Sequence, residues 1–147
     1  MDDLNAVEIL IVDDNPEDTE LIVRALRKRR LANRLVTVGD GQQALDFVFG
    51  RGTYEGRDPA RVPRVIFLDL KLPKVNGLEV LKILKSDENA KCIPIVIVTS
   101  SKEDPDIKAA FTLGANSYVV KPVNFESFLE AMDHTGYYWL LVNQEQK

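Results

Sequence analysis

The 147-residue sequence has a single cysteine, Cys92, and no long hydrophobic run. Cys92 has no second thiol to pair with, so an internal disulfide is impossible and a reducing compartment is expected. No apolar run approaches the roughly 20 residues that a membrane-spanning helix needs. The acidic start lacks the positive region and the cleavage site of a signal peptide. These absences predict a cytoplasmic protein that does not contact a membrane.

An excess of positive charge is also missing. The chain has 19 Lys and Arg residues against 23 Asp and Glu residues, which gives a net charge of -4. Nucleic-acid-binding domains concentrate basic charge, so we expect no nucleic acid partner. The one basic cluster, RALRKRR at 24–30, is interpreted as the solvated face of a helix; an alternative is that its Arg27 and Lys28 face a protein partner. The length and the hydrophobic content of 45% fit one globular domain.

Five short runs rich in Val, Ile and Leu are predicted to be strands. The first, third and fourth are apolar at nearly every position, which is typical of strands whose sheet is covered on both faces. The five runs occupy residues 7–13, 34–38, 64–69, 94–100 and 117–121.

Segments with helical periodicity separate the predicted strands. Asn15 is a predicted N-cap with Pro16 at the first helical position, and Gly114 is a predicted helix end. The regular alternation of strand and helix predicts an α/β fold, a parallel sheet with helices on both faces. Residues 50–63 carry Gly and Pro without any period, so they are predicted to form an inserted surface loop. The predicted helices occupy residues 16–31, 41–49, 77–88, 104–114 and 124–142.

Polar residues close four of the predicted strands. Asp13 and Asp14 end the first, Asp69 ends the third, and Thr99 and Lys121 end the last two. In open α/β sheets, ligands bind at the carboxyl ends of the strands. At about 5 Å and an effective dielectric constant near 20, each pair of carboxylates would repel by about 3 kcal/mol. Such a cluster needs a cation, and so few oxygen ligands favour Mg²⁺, which keeps several waters and takes phosphate as a co-ligand.

The remaining two strand ends extend this chemistry to phosphate. The Lys121 ammonium and the Thr99 hydroxyl are suited to phosphate oxygens, and Asp69 is suited to attack a phosphoryl group. A single Asp before a turn, a Thr in a strand or a Lys-Pro after one is more often structural than functional. The combination of five compatible strand-end residues favours a site that places a phosphoryl group on a carboxylate.

Four motifs together carry a family resemblance. They are ILIVDDN, LDLKLPKVNGLEVL, VTS and GANSYVVKP, which begin at residues 9, 68, 98 and 114. In this order and at this spacing the sequence resembles the receiver domain of two-component response regulators, over residues 7 to about 130. The resemblance implies a doubly wound, flavodoxin-like parallel sheet of five strands in the order 2-1-3-4-5.

The resemblance also implies a role for each acidic residue. Asp69 would accept the phosphoryl group from the phosphohistidine of a histidine kinase. Asp13 and Asp14 would form the Mg²⁺ pocket, Asp14 as a direct ligand and Asp13 largely through water. The backbone carbonyl of Lys71 would be a further metal ligand.

The other matching residues are implied to sense the phosphoryl group. Thr99 would move toward it, Lys121 would pair with it, and Tyr118 would be the aromatic residue whose rotamer follows. A cis bond would precede Pro122. From the residues alone, Tyr118 is equally well interpreted as a packed sheet residue. Three further positions would shape the surroundings of Asp69: Pro73, Gly77 and Ser100.

Two features differ from a minimal receiver. The loop at 50–63 lengthens the interval between Asp14 and Asp69, and GYYWLLVN at 136–143 places aromatic residues near the end of the predicted last helix. Both resemble the stand-alone receivers that partner bacterial and cyanobacterial phytochrome histidine kinases. This resemblance implies a single receiver over 1–147 without an output domain, a last helix extended through 136–147, and a homodimer formed through that helix.

The residues fit a phospho-acceptor that catalyses only its own phosphorylation and slow hydrolysis better than they fit functions of other classes. A Mg²⁺-dependent phosphohydrolase with an aspartyl-phosphate intermediate would need a second acid two residues past the nucleophile, where this chain has Lys71. A nucleotide or flavin binder would need a glycine-rich first turn, whereas DDNPED would repel phosphate. A degenerate receiver would lack motif residues that are present here. Lys71 and Ser101 are further predicted to influence the lifetime of the phosphoryl group.

Overall fold

The computed structural model describes residue 7 and residues 9–28 and 34–121. Several predictions fall outside these residues: the end of the basic cluster, the bond before Pro122, the helix at 124–142, its extension through 136–147, and the dimer surface assigned to it. Within the described ranges, none of the helices is long and apolar enough to cross a membrane.

Strands and helices alternate along the chain as predicted. The helix predicted at 41–49 has these bounds, whereas those predicted at 77–88 and 104–114 end earlier, at Lys85 and Thr112, because the sequence pattern continues into the turns that follow them. The elements are β1 (Ile9–Val12), α1 (Pro16–Lys28), β2 (Leu35–Val38), α2 (Gly41–Phe49), β3 (Val65–Leu68), α3 (Gly77–Lys85), β4 (Ile95–Thr99), α4 (Asp104–Thr112) and β5 (Ser117–Val120).

The five strands form one parallel sheet in the order β2-β1-β3-β4-β5, which confirms the predicted fold class. The register aligns the ends of the strands: Val12 lies opposite both Val38 and Leu68, and Thr99 lies opposite Val120. Chain order reverses beside β1, where β2 lies on one side and β3 on the other. The carboxyl ends of β1 and β3 are therefore neighbours, and the residues that follow them share one crevice.

Helices cover both faces of the sheet. Alternate residues of β1 point to opposite sides, so that Ile9 and Ile11 pack with α1 while Leu10 and Val12 pack with α2 and α3. All residues of β1, β3 and β4 are buried, as their continuous apolar runs predict. The central strands are therefore held from both sides, and the polar residues at their ends stand on a rigid base.

The start of α1 follows from two predicted residues. Helix α1 begins at Pro16, and the Asn15 side chain accepts hydrogen bonds from the N–H groups of Glu17 and Asp18 at 2.9 and 3.2 Å. This N-cap satisfies two of the backbone donors that a helix start leaves free. The cap therefore fixes the first turn of α1 directly after Asp13 and Asp14.

Residues 50–63, predicted as a surface loop, carry a short 3-10 turn at Gly52–Tyr54 and are mostly exposed. Arg57 is buried, at 5% exposure. Its guanidinium lies 4.2 Å from the centre of the Phe47 ring and donates hydrogen bonds to the backbone carbonyls of Phe47 and Arg61. A buried arginine within a loop was not predicted from the sequence. It fastens this segment to the end of α2.

Candidate functional site

Three carboxylates converge at the carboxyl edge of the sheet, as predicted. Asp13, Asp14 and Asp69 each offer an oxygen atom within 4.8 Å of the others. The position of Asp69 is set by its backbone N–H, which donates to the carbonyl of Val12 at 2.9 Å and so continues the pairing of β3 with β1. Asp13 and Asp69 are buried and Asp14 is exposed. A groove of about 520 Å³ between α1 and β2 opens onto Asp13 and Asp14.

Both oxygens of Asp13 are held. Its Oδ1 accepts a hydrogen bond from the N–H of Asn15 at 2.9 Å, and its buried Oδ2 lies 2.9 Å from the Lys121 ammonium. Burial raises the pKa of Asp13, and the hydrogen bond from Asn15 and the charge of Lys121 oppose that rise only in part. Three carboxylates within 4.8 Å of one another carry more negative charge than the one ammonium beside them balances, which fits a hard divalent cation.

Lys121 supplies the positive charge next to these oxygens. Its Nζ lies 2.9 Å from Oδ2 of Asp69 and 2.9 Å from Oδ2 of Asp13, and it also lies 2.9 Å from Oδ2 of Asp18. Burial alone would lower the pKa of Lys121, but the three carboxylates outweigh burial and raise it. Lys121 is therefore a permanent cation in the site, where it can balance charge without exchanging a proton.

The loop after Asp69 is held by two close backbone contacts. A Cβ atom on Gly77 would lie 2.1 Å from the carbonyl oxygen of Asp69, and one on Gly41 would lie 1.8 Å from the carbonyl oxygen of Val75. Either position therefore excludes any side chain. The N–H of Lys71 donates to Oδ1 of Asp69 at 3.2 Å, which places the backbone of Lys71 beside the acidic cluster. The role of the Lys71 carbonyl as a metal ligand stays a prediction.

Lys74 in the same loop has a left-handed backbone, with φ of 67°. Residues other than glycine rarely take this conformation. Its Nζ lies 3.7 Å from Oδ2 of Asp40, which is the N-cap of α2 and accepts a hydrogen bond from the N–H of Gln43 at 2.7 Å. The loop after Asp69 is thus attached to the start of α2 through side chains as well as backbone.

Thr99, Ser101 and Tyr118 form a connected set on the other side of Asp69. Thr99 is fully buried, and its Oγ1 accepts a long hydrogen bond of 3.5 Å from the N–H of Ser101. The carbonyl of Ser101 accepts from the Tyr118 hydroxyl at 2.9 Å, and the Ser101 hydroxyl donates to Asp106 in α4. Burial raises the pKa of Tyr118, so its hydroxyl stays a donor at neutral pH. Two successive hydrogen bonds through Ser101 therefore connect Thr99 to α4 and to the hydroxyl of Tyr118.

The structure brings together most of the residues that the sequence singled out. Asp13, Asp14, Asp69 and Lys121 form one cluster, while Thr99 follows at the neighbouring strand end. Ser100 is exposed and Lys71 is exposed. One residue of the cluster, Asp18, was not predicted as part of the site. Its signal in the sequence is its place in the first turn of the helix that directly follows Asp13 and Asp14.

Comparison with solved structures identifies the same fold with substantial sequence identity. The bacteriophytochrome response regulator RtBRR aligns with a TM-score of 0.80 at 45% identity and covers 88% of this chain and 78% of that one. The Mn²⁺-bound form of response regulator Rcp1 aligns at 0.77 and 32% identity, over 91% and 94%. The phosphorylated cyanobacterial phytochrome response regulator RcpA aligns at 0.77 and 34% identity, over 91% and 94%.

Comparison with curated proteins gives the same result. The probable methanogenesis regulatory protein FilR2 of Methanothrix harundinacea is 38% identical over 132 residues, 90% of this chain and 83% of that protein. Response regulator Rcp1 of Synechocystis is 33% identical over 132 residues, 90% of this chain and 88% of that protein. The profile of the response regulator receiver domain matches residues 9–133. The chain therefore belongs to the response regulator receiver domain family.

Proposed function

We propose that the chain is a phospho-acceptor response regulator in which Asp69 takes a phosphoryl group from a histidine kinase. One observation carries the proposal: Asp69 is buried at the end of β3, 2.9 Å from Lys121 and within 4.8 Å of carboxylate oxygens of Asp13 and Asp14. A carboxylate held still beside a fixed cation and an acidic pocket suits nucleophilic attack on phosphorus. The chain acts as the acceptor and catalyses only its own phosphorylation and dephosphorylation.

The transfer is a displacement at phosphorus. An oxygen of the Asp69 carboxylate attacks the phosphohistidine phosphorus and forms a P–O bond. The P–N bond breaks, and its electron pair returns to the imidazole nitrogen of the kinase. Signalling ends by hydrolysis. A water oxygen attacks the same phosphorus, the P–O bond to Asp69 breaks, its electron pair restores the Asp69 carboxylate, and inorganic phosphate leaves as the water gives up a proton.

The acidic pocket is proposed to hold Mg²⁺ during both steps. Asp14 and Asp69 would bind it directly, Asp13 largely through water, and the carbonyl of Lys71 would complete the protein ligands. The bound ion would neutralise the charge of the phosphoryl oxygens. This chain contributes the rest: Lys121 pairs with a phosphoryl oxygen, and the N–H of Lys71 holds the Asp69 carboxylate in orientation at 3.2 Å.

The switch is proposed to run through Thr99 and Ser101. A phosphoryl group adds about 1.5 to 2 negative charges and three acceptor oxygens next to Thr99. If the Thr99 hydroxyl turns to donate to one of them, its 3.5 Å bond from Ser101 is lost. Ser101 also contacts Tyr118 and Asp106. Loss of the Thr99 bond therefore favours a new arrangement of β5 and α4, which a protein partner can recognise.

The partner is proposed to be a phytochrome-type histidine kinase in the cytoplasm, and the chain to be a single receiver that signals by protein contact. The 45% identity to a bacteriophytochrome response regulator supports this partner. Phosphoryl transfer should be faster from a bacteriophytochrome kinase than from an unrelated histidine kinase at equal concentration. Equal rates from both kinases would contradict the phytochrome link.

A homodimer is proposed on the basis of the aromatic sequence GYYWLLVN at 136–143. Tyr and Trp are enriched in protein interfaces. Sedimentation at high micromolar concentration should show a dimer in the unphosphorylated or the phosphorylated state. A monomer in both states would contradict the proposal.

The test of the proposed function is phosphorylation of Asp69 itself. In Mg²⁺, acetyl phosphate or a phosphorylated kinase should label the wild-type chain, and Asp69→Asn should not be labelled. Asp104→Asn is the matched control, because it removes an exposed carboxylate at the start of α4 and leaves Asp69 intact. Equal labelling of Asp69→Asn and wild type would overturn the assignment.

A further inference from the structure

Lys121 has a third carboxylate partner that does not belong to the acidic pocket. Its Nζ lies 2.9 Å from Oδ2 of Asp18, the same distance as to Asp13 and Asp69. The Lys121 side chain is 11% exposed and the Asp18 side chain 21% exposed. Asp18 comes from the first turn of α1, whereas the other two carboxylates follow strands. The ammonium is therefore tied to the sheet and to a helix at once.

The chemistry of the site changes two of these three partners. When Asp69 is phosphorylated, its carboxylate becomes an acyl phosphate and the ester oxygen loses its full charge. Asp13 belongs to the group of oxygens within 4.8 Å that fits a cation, and a cation would compete with Lys121 for it. Asp18 is outside that group among the described residues. Neither phosphorylation nor metal binding gives Asp18 a new partner, so its contact with Lys121 is the one that can persist.

We infer that Asp18 is a positioning residue that holds the Lys121 ammonium in reach of the phosphoryl group. The inference rests on the proposed function. A lysine side chain has four rotatable carbon–carbon bonds and loses substantial rotamer freedom when it is fixed. If Asp18 still holds Lys121 after Asp69 and Asp13 have changed partners, the side chain is already fixed. Binding of the phosphoryl group then costs no further rotamer entropy of Lys121. The Lys121 ammonium is then already in place when the phosphoryl oxygen arrives.

Asp18 is itself well anchored. Its N–H donates to the side chain of Asn15 at 3.2 Å, so the N-cap of α1 fixes its backbone. A carboxylate in the first turn is also favoured by the positive end of the helix. Because α1 packs on the sheet through buried residues such as Ile22 and Leu26, the anchor is as rigid as the core.

The negative charge of Asp18 works against its role as an anchor for Lys121, because an anion near the site repels the phosphoryl group. Lys121 touches both Asp18 and Asp69 at 2.9 Å, so the ammonium compensates Asp18 locally. Asp18 is also partly exposed, and water screens its charge. When Asp18 is removed, the loss of its contact with Lys121 should therefore outweigh the loss of its repulsion of the phosphoryl group. The binding of a phosphoryl group should weaken.

The experiment measures the affinity of the full chain for beryllium fluoride, a phosphoryl mimic, in saturating Mg²⁺. The variants are Asp18→Ala, Asp18→Asn and Glu17→Ala. Glu17 is the matched control because it is an exposed acid in the same helical turn, and no ion pair joins it to Lys121 in the described part of the chain. Affinity for Mg²⁺ alone serves as a second readout, because both alanine variants remove one charge from the same region.

Asp18→Ala should weaken beryllium fluoride binding about fivefold, as expected for the loss of one partly exposed ion pair. Asp18→Asn, which keeps an oxygen acceptor for Lys121, should lie between Asp18→Ala and wild type. Glu17→Ala should bind within about twofold of wild type, since a solvated charge has little effect. The affinity for Mg²⁺ alone should change equally in the two alanine variants.

Two different failures can be told apart. If the wild type does not bind beryllium fluoride in Mg²⁺, the proposed function is wrong. If the wild type binds and Asp18→Ala binds as tightly as Glu17→Ala or more tightly, Asp18 is not a positioning residue. Should Asp18→Ala fail to fold by circular dichroism, Asp18→Asn decides: an affinity equal to that of Glu17→Ala overturns the inference, and a weaker one supports it.

Discussion

Lys121 and Arg57 are both largely buried cations, and the protein stabilises them in opposite ways. Lys121 lies 2.9 Å from three carboxylates, which raise its pKa in spite of its burial. Arg57 donates to backbone carbonyls and stacks on the Phe47 ring, and burial lowers its pKa.

The partners decide what each cation can do. Carboxylates can bind a metal or accept a phosphoryl group, so the proposed function would change the surroundings of Lys121. The backbone carbonyls of Phe47 and Arg61 take part in neither process, so the surroundings of Arg57 stay the same. Lys121 therefore belongs to the responsive part of the molecule and Arg57 to its scaffold.

The sharpest test of this difference is Lys121→Met without Mg²⁺. The free energy of unfolding should fall by about 3–5 kcal/mol, because the buried carboxylates of Asp13 and Asp69 lose their countercharge. Saturating Mg²⁺ should restore most of the loss, since the ion supplies that charge. Urea unfolding with and without Mg²⁺ measures both values.

Lys82→Met, at an exposed position of α3, is the control and should change stability by less than about 0.5 kcal/mol. A loss that Mg²⁺ does not reduce would contradict the role of Lys121 as countercharge.

Arg57→Met should have a smaller effect that Mg²⁺ does not alter. We expect a loss of about 2–3 kcal/mol, because the carbonyls of Phe47 and Arg61 lose a buried donor. Affinity for beryllium fluoride should stay at the wild-type value, since the acidic cluster is untouched. Urea unfolding with and without Mg²⁺ measures the loss of stability, and a binding titration measures the affinity for beryllium fluoride. Arg61→Met, which removes an exposed side chain but keeps the backbone carbonyl, should behave as wild type. A change in beryllium fluoride affinity on Arg57→Met would show that residues 50–63 also act on the site.

Asp40 offers the smallest effect and extends the comparison to an anion with permanent partners. Burial alone would raise its pKa, but hydrogen bonds from the backbone and side chain of Gln43 outweigh it, and the pKa is lowered. Asp40→Ala should cost about 1 kcal/mol at pH 7, the usual value of an N-cap.

The pH dependence of this contribution has a fixed sign. A lowered pKa means that the stabilisation is complete above the unfolded value of about 3.9 and is lost as the pH falls through the folded value. The stability difference between wild type and Asp40→Ala should therefore shrink in acid. Asp40→Asn, which keeps the capping oxygen, should lose less stability at pH 7. A difference that grows on acidification would contradict the lowered pKa.

The fold could be predicted because its signals are local. The buried strands are continuous apolar runs, and Asp69, Thr99 and Lys121 stand at strand ends that a parallel sheet must bring to one edge. Asn15 and Pro16 mark a helix start in the sequence itself. Each of these conclusions needs only the neighbours of a residue along the chain.

The contacts that were missed depend on neighbours distant in sequence. Asp18 stands in the first turn of a helix, where an acidic residue is favoured whatever its partner, and its partner Lys121 is 103 positions later. Arg57 lies in a segment without periodicity, where charge predicts exposure. Lys74 takes a left-handed backbone without the glycine that would announce it. In each case a contact between two elements determines the geometry of the residue. The sequence pattern of one element alone cannot show such a contact.

The contact between Gly41 and Val75 has a mechanical consequence. Because a backbone carbonyl fills the space where a side chain of Gly41 would stand, and the N–H of Gly41 donates to the carbonyl of Pro73, no gap is left between the loop and α2. The loop that follows Asp69 is therefore blocked on the side of α2. A rearrangement at Asp69 is expected to move the loop in other directions, while the far end of α2, held by Arg57 through the carbonyl of Phe47, keeps its place.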